Sequence, residues 1–260
     1  MSVSLLDKRT AIFLAAVCSQ TYHQFDNDDG TFMVPRNYQV SSSFKAASFI
    51  GVEERFGFIL ESNDRIILAF RGTNTSSDWV SDAIARQSPF VFVRDGGLVH
   101  RGFLDIYRSA RKRILDALSK LSPQKQLYIT GHSLGGALAT LCAADAAVNT
   151  KFKTPVVYSY ASPRVGNPAF AGKFNSLLSN RHRIYNQYDL VPHLPPVLYK
   201  SPRTDRIYQY LHVKKGFELS FQKGSVSANH AIGNYFHELA KLDPAYTRDL
   251  SARNPGFCPG

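Results

Sequence analysis

Leu127-Tyr128-Ile129-Thr130-Gly131-His132-Ser133-Leu134-Gly135-Gly136-Ala137 is the stretch on which the reading of this chain turns. An apolar run of strand type over 127–130 ends in glycine, and an alanine-rich helical pattern over 133–148 follows at once. Gly131-His132-Ser133-Leu134-Gly135 therefore places a G-x-S-x-G pattern directly between a strand and a helix. That is the context of a nucleophile elbow. The sharp turn lifts the serine hydroxyl above a sheet, and a glycine two residues to either side lets neighbouring backbone pass without a clash. Ser133 as a plain helix N-cap is the simpler alternative; the strand before it and the helix after it favour the elbow.

Outward from this stretch the chain alternates. Apolar segments at 47–52, 56–61 and 65–70 read as strands. A helix over 103–121 carries Phe103, Ile106, Tyr107, Ala110, Ile114, Leu118 and Leu121 at helical spacing and stops at Ser122-Pro123. After the elbow come a strand at 155–160, a helix at 168–178 and a strand at 183–186. This order builds an α/β fold, a central mostly parallel sheet covered by helices. Neither a linker nor an internal repeat divides the 260 residues, and the proline-rich 192–202 reads as a loop, so one domain spanning 1–260 is expected. The apolar run 11–18 follows Lys8 and Arg9 but is short for a signal peptide, and polar residues follow without a cleavage site. It reads as an amphipathic helix with Leu6, Phe13 and Val17 toward the core. A cytoplasmic location is the default expectation, with secretion the alternative.

Composition narrows the classes. Hydrophobic residues make up 44% and charged residues 20%, and no apolar stretch is long enough to span a membrane, as in soluble globular proteins. The net charge of +11 is uneven: residues 131–260 carry 15 Lys or Arg against 7 Asp or Glu. No zinc spacing, aromatic RNA-binding run or basic helix accompanies that excess, so nucleic acid is not an expected partner; a solvated surface or an anionic lipid interface is. Cys18, Cys142 and Cys258 form neither a disulfide framework nor a metal site.

A serine hydroxyl needs a histidine to take its proton and a carboxylate to hold the imidazole. In a sheet of this kind the acid and then the base follow the serine in sequence. Asp189 follows the 183–186 strand and opens the loop Asp189-Leu190-Val191-Pro192, whereas Asp145 falls inside the elbow helix. Among the later histidines His230, at the end of a Gly- and Ser-containing loop and the start of a helix, is the general base, with His237 second. One oxyanion donor is the backbone N–H of Leu134; Thr73, ending Phe70-Arg71-Gly72-Thr73, offers an N–H and a hydroxyl for the other. This chemistry calls for no cofactor or metal.

With these residues placed, the chain resembles the class 3 lipases, the fungal-type triacylglycerol lipases and their bacterial and plant relatives. The likeness runs in order through Ala15-Ala16-Val17-Cys18, Phe70-Arg71-Gly72-Thr73, Asp78-Trp79-Val80-Ser81-Asp82, Val99-His100-Arg101-Gly102-Phe103, the elbow, Ser162-Pro163-Arg164-Val165-Gly166-Asn167, Asp189-Leu190-Val191-Pro192 with Leu194-Pro195-Pro196, and the stretch from His230 to Tyr235. The resemblance implies the α/β-hydrolase fold, the triad Ser133, Asp189 and His230, the oxyanion donors Thr73 and Leu134, and a lid helix over 76–85. It also implies that Asp82 orients the Thr73 hydroxyl and that Cys18 and Cys258 form a family disulfide. On a helix, Trp79, Val80, Ala83 and Ile84 would make a short apolar stripe suited to covering Ser133.

The expected activity is lipase or carboxylic-ester hydrolysis of acylglycerols through an acyl-enzyme, acting on a lipid or small ester substrate, with an anionic lipid–water interface as an expected partner. A phospholipase or feruloyl-type esterase on the same scaffold is the alternative within that class. A silent lipid-binding module is the alternative outside it, and an intact set of triad residues argues against that reading.

Overall fold

The structure, a computed structural model, describes residues 6–73, 86–201, 205–214 and 216–260. From the N-terminus run α1 (Lys8–Asp26), β1 (Gln39–Ala47), β2 (Glu53–Glu61), β3 (Arg65–Phe70), the short pair β4 (Gln87–Pro89) and β5 (Leu98–His100), α2 (Arg101–Ser119), β6 (Gln126–His132), α3 (Leu134–Asn149), β7 (Val156–Tyr160), α4 (Pro168–Leu177) and β8 (Arg181–Asn186). A 3-10 turn at Val191–His193 follows, then the hairpin strands β9 (Leu198–Lys200) and β10 (Ile207–Gln209), strand β11 (Gly216–Leu219) and helices α5 (Val226–His230), α6 (Ile232–Ala240) and α7 (Pro244–Arg253).

The central sheet has seven strands in the order β1-β2-β3-β6-β7-β8-β11. Strand β2 runs antiparallel to both β1 and β3, and β3, β6, β7, β8 and β11 are parallel. This is the α/β-hydrolase arrangement. Strands β3 and β7 bury side chains on both faces, as parallel strands sandwiched between helices must. Ile66, Leu68 and Phe70 face α2 and α3, packing with Phe103, Ile114, Leu138 and Leu141. Ile67 and Ala69 face the other way, into a second cluster with Ile12, Ala16, Tyr235 and Leu239 of α1 and α6. Each large side chain so buried contributes about 1.5–3 kcal/mol relative to exposure.

Helix α1 is not amphipathic. Asp7 caps it by accepting from the Arg9 and Thr10 N–H groups, and every residue from Thr10 to Thr21 is buried. It lies between the sheet and α6, with the C-terminal tail laid against it: Phe257 packs on Phe13 with ring centroids 5.5 Å apart, and Gln20 Nε2 donates to the Phe257 carbonyl at 2.8 Å. The tail is held without a disulfide. Cys18 points at the sheet, its Sγ 3.3 Å from Thr130 Oγ1, and both Cys18 and Cys258 are free thiols, so the expected Cys18–Cys258 bridge is absent. Burial pushes the Cys18 thiol up to about 12.

Strand β1 also departs from expectation. The apolar residues at 47–52 form the turn after it, closed by Ser48 N–H to the Val52 carbonyl at 2.8 Å, with Gly51 at φ 78. The edge strand at Gln39–Ala47 buries only Phe44 and Ala46, too sparse an apolar pattern to stand out against the exposed remainder. Among the described residues, no helix is long and apolar enough to cross a membrane.

Candidate active site

At the end of β6 the backbone turns through Ser133 at φ 57 and ψ −128, and α3 starts immediately. A non-glycine residue in that conformation is strained and persists because its surroundings fix it. Ser133 N–H donates to the Tyr160 carbonyl at 2.9 Å, and the Ser133 carbonyl accepts from Gly136 N–H at 2.9 Å to open the helix. The glycines of the motif are steric necessities: a Cβ on Gly131 would lie 2.2 Å from the Gly135 carbonyl oxygen, and one on Gly135 would lie 2.3 Å from that of Phe70. The turn closes only with hydrogen at both places.

The structure brings Ser133, Asp189 and His230 into one line. His230 Nε2 lies 2.8 Å from Ser133 Oγ, and His230 Nδ1 lies 2.7 Å from Asp189 Oδ2. Asp189 can only accept, so Nδ1 carries the proton and the free lone pair of Nε2 faces the serine hydroxyl. All three are buried, at 2%, 1% and 8% exposure for Ser133, Asp189 and His230. Asp189 sits three residues past β8, where its Oδ1 accepts from Val191 N–H at 3.0 Å. His230 does not begin a helix, as its sequence suggests; it ends α5 at the break before α6.

The acid and base loops are fastened to each other by Asn186, at the end of β8. Its Nδ2 donates to the carbonyls of Phe221 and Asn229 at 2.9 and 3.2 Å, and its Oδ1 accepts from Phe221 N–H at 3.1 Å. Tyr235 of α6 completes the clasp, donating its hydroxyl to Asp189 Oδ2 at 2.8 Å while accepting from Asn186 N–H at 2.9 Å.

Leu134 is the first residue of α3, and the opening N–H groups of a helix have no intrahelical acceptor. The segment carrying Thr73 runs beside the nucleophile: a Cβ on Gly72 would lie 3.1 Å from that of Ser133. Both oxyanion candidates therefore flank the serine. Asp82 and the lid residues Trp79, Val80 and Ile84 lie outside the described residues. Of the other histidines, His193 and His237 are exposed, His212 donates to the Pro192 carbonyl at 2.6 Å, and His100 caps α2. Among the described residues no cluster of His, Cys, Asp and Glu is placed to hold a metal.

A family model described as Lipase (class 3) matches residues 67–199, half of the chain. The chain belongs to the class 3 lipase family. It is 34% identical over 145 residues to a lipase of Rhizomucor miehei, covering 54% of this chain and 40% of that protein. It is 34% identical over 166 residues to the secreted mono- and diacylglycerol lipase A of Penicillium cyclopium, covering 62% of this chain and 51% of that one. The chain thus spans about half the length of these relatives. Among solved structures, the mono- and diacylglycerol lipase of Aspergillus oryzae superposes with a TM-score of 0.68 at 26% identity, over 85% of this chain and 82% of that one.

The segment matched to the class 3 lipase model contains Ser133 and Asp189 and stops well short of His230. The place of His230 in the site rests on its two hydrogen bonds. Sequence reasoning missed Tyr235 and Asn186 as partners of the acid, and it gave His132 no role. His132 is in fact buried against the backbone of His230. A polar residue inside the helical run after His230 was the available signal for Tyr235; nothing local marks Asn186.

Proposed function

We propose that this member of the class 3 lipase family hydrolyses carboxylic esters of acylglycerols through an acyl-enzyme. The observation that carries the proposal is the unbroken line from Ser133 Oγ through His230 to Asp189, at 2.8 and 2.7 Å. Ser133 Oγ attacks the ester carbonyl as His230 Nε2 takes its proton, and Asp189 stabilises the imidazolium through Nδ1. The carbonyl oxygen gains negative charge and is met by the Leu134 N–H and by Thr73. His230 then passes the proton to the departing alcohol, leaving Ser133 acylated. In the second half a water gives its proton to His230 and attacks the acyl carbonyl, and Ser133 leaves with the proton returned.

An apolar substrate surface fits the side chains exposed around the acid loop. Tyr188 and Leu190 flank Asp189, and Val197, Leu198 and Ile207 project from the β9–β10 hairpin that follows. Residues 181–215 hold seven Lys or Arg against two Asp, which favours an anionic interface.

The test is Ser133→Ala. Hydrolysis of a soluble p-nitrophenyl ester by this variant should fall by about 10⁵- to 10⁶-fold in kcat with an unchanged circular dichroism spectrum, and the parent alone should be labelled by an organophosphonate. Turnover retained in the variant would overturn the proposal.

A further inference from the structure

Tyr22, on α1, takes part in neither the reaction nor the acid–base clasp, yet its hydroxyl lies where three pieces of the site meet. The oxygen is 2.7 Å from His132 Nδ1 and packs against Gly72. The far nitrogen of the same imidazole, His132 Nε2, is 2.7 Å from the main-chain carbonyl oxygen of His230. Gly72 adjoins Thr73, His132 adjoins Ser133, and His230 is the base.

The direction of these bonds follows from their chemistry. A carbonyl only accepts, so Nε2 of His132 carries the proton and Nδ1 is the lone-pair side. The Tyr22 hydroxyl must then donate to Nδ1. Each group has one role available, and the line runs one way from Tyr22 through His132 to the carbonyl of His230. The imidazole is 4% exposed, so water does not replace a lost partner. Burial, reinforced by the neighbouring His230, holds His132 well below the ordinary histidine range, which keeps it in this single neutral form. Gly72 admits no side chain here, since a Cβ would fall 2.2 Å from the Tyr22 oxygen.

We infer that Tyr22 and His132 are positioning residues for the ester hydrolysis proposed above, fixing the backbone of the base His230 to the elbow and to α1 by one line of hydrogen bonds, with Tyr22 packed against the oxyanion segment at Gly72. The inference rests on that functional reading. His230 sits at the break between α5 and α6, where no continuous helix holds its main chain, and the imidazole contact supplies an anchor from the opposite side of the residue. A group that aligns reacting atoms to fractions of an ångström acts on the rate of the chemical step rather than on affinity.

Tyr22→Phe, His132→Leu, His132→Gln and the double variant Tyr22→Phe/His132→Leu separate this from simple core filling. On a soluble p-nitrophenyl ester, Tyr22→Phe and His132→Leu should each lower kcat by about tenfold with KM within about twofold. The double variant should be no slower than the slower single one, because the two residues act as a unit. His132→Gln, whose amide can still donate to the His230 carbonyl, should recover most of kcat. Single variants within twofold of the parent, or a double variant that loses about a hundredfold, would overturn the inference. Nitrogen-15 NMR of the imidazoles needs neither turnover nor a folded variant: the parent should show His132 neutral with its proton on Nε2, and a proton on Nδ1 would overturn the inference as well. Absence of Ser133-dependent hydrolysis in the parent would instead overturn the proposed function itself, and with it the rate role assigned to Tyr22 and His132.

Discussion

Asp145 and Asp189 are both buried carboxylates that a tyrosine hydroxyl reaches, and only Asp189 belongs to the candidate active site. Asp145, on α3, accepts from Tyr107 at 2.6 Å, from Arg111 Nε and Nη2 at 2.6 and 3.0 Å, and from Asn149 Nδ2 at 2.6 Å. A two-pronged guanidinium neutralises it at all times, and the pair ties α2 to α3. The bonded carboxylate in turn raises the Arg111 guanidinium above its ordinary range. Asp189 has Tyr235, a backbone N–H and an imidazole and, among the described residues, no guanidinium bonded to it. In the proposed reaction its positive partner exists only while His230 holds the serine's proton. Burial and a tyrosine do not mark the reactive acid; a partner whose charge comes and goes does.

Removing each charge tests that contrast most severely. Asp189→Asn should cut kcat by about 10⁴-fold, since the amide no longer selects the Nδ1–H form of His230 or stabilises its cation. Its urea midpoint should shift little by comparison. Asp145→Asn should do the reverse, costing about 3 kcal/mol of stability by stranding Arg111 against a neutral group, with kcat per folded molecule within twofold. The comparison breaks if Asp145→Asn proves the slower enzyme.

The same contrast explains what the sequence could reveal. Ser133, Asp189 and His230 were legible because a motif, a strand–helix boundary and a fixed chain order each constrain where they fall. The alternating elements around them were legible for the same local reason, and the ends of α2 and α3 fall within two residues of expectation. The partners were not. Arg111 and Asp145 stand 34 residues apart, and Tyr235 and Asp189 stand 46 apart, and no spacing along the chain announces such pairs. Helix α1 misled for a related reason: its polar Thr10, Ser19, Gln20 and Thr21 suggest a wet face but are buried. The Cys18–Cys258 pairing rested on family resemblance, and here Cys18 is turned toward Thr130.

Histidines sharpen the comparison next. His100 is 1% exposed, stacks on Phe103 at 3.9 Å and accepts the Phe103 N–H at Nδ1, and among the described residues no carboxylate pairs with it. Burial alone pushes it down to about 3. Unfolding frees it to protonate near 6.5, so between about pH 6.5 and 3 the unfolded chain binds the extra proton. The stability present above pH 6.5 is therefore lost as the pH falls through that window, by about 1.4 kcal/mol per pH unit for this one group. His100→Asn replaces the capping nitrogen with an amide oxygen and removes the titration, so its unfolding free energy measured from pH 6 to 4 should fall less steeply by about that slope. An unchanged slope would mean that His100 is protonated in the folded protein.

The two tyrosines give the smallest and most discriminating effect, because the same deletion is made beside each acid. Tyr107→Phe removes one of several donors to Asp145, and Arg111 and Asn149 remain; the loss should be about 1 kcal/mol of stability with kcat unchanged. Tyr235→Phe removes a donor from Asp189 and also leaves the buried Asn186 N–H without its hydroxyl acceptor. Stability should fall by about 1–2 kcal/mol, and kcat should fall as well, by about tenfold, because the carboxylate is freer to turn away from His230. KM should stay within twofold, as Tyr235 sits behind the acid rather than against substrate. The two hydroxyls are alike in burial and in bond length, so stability alone would not tell them apart. If kcat responds equally to both, Asp189 is held no more critically than Asp145, and the distinction between a carboxylate that neutralises and one that orients fails at its finest grain.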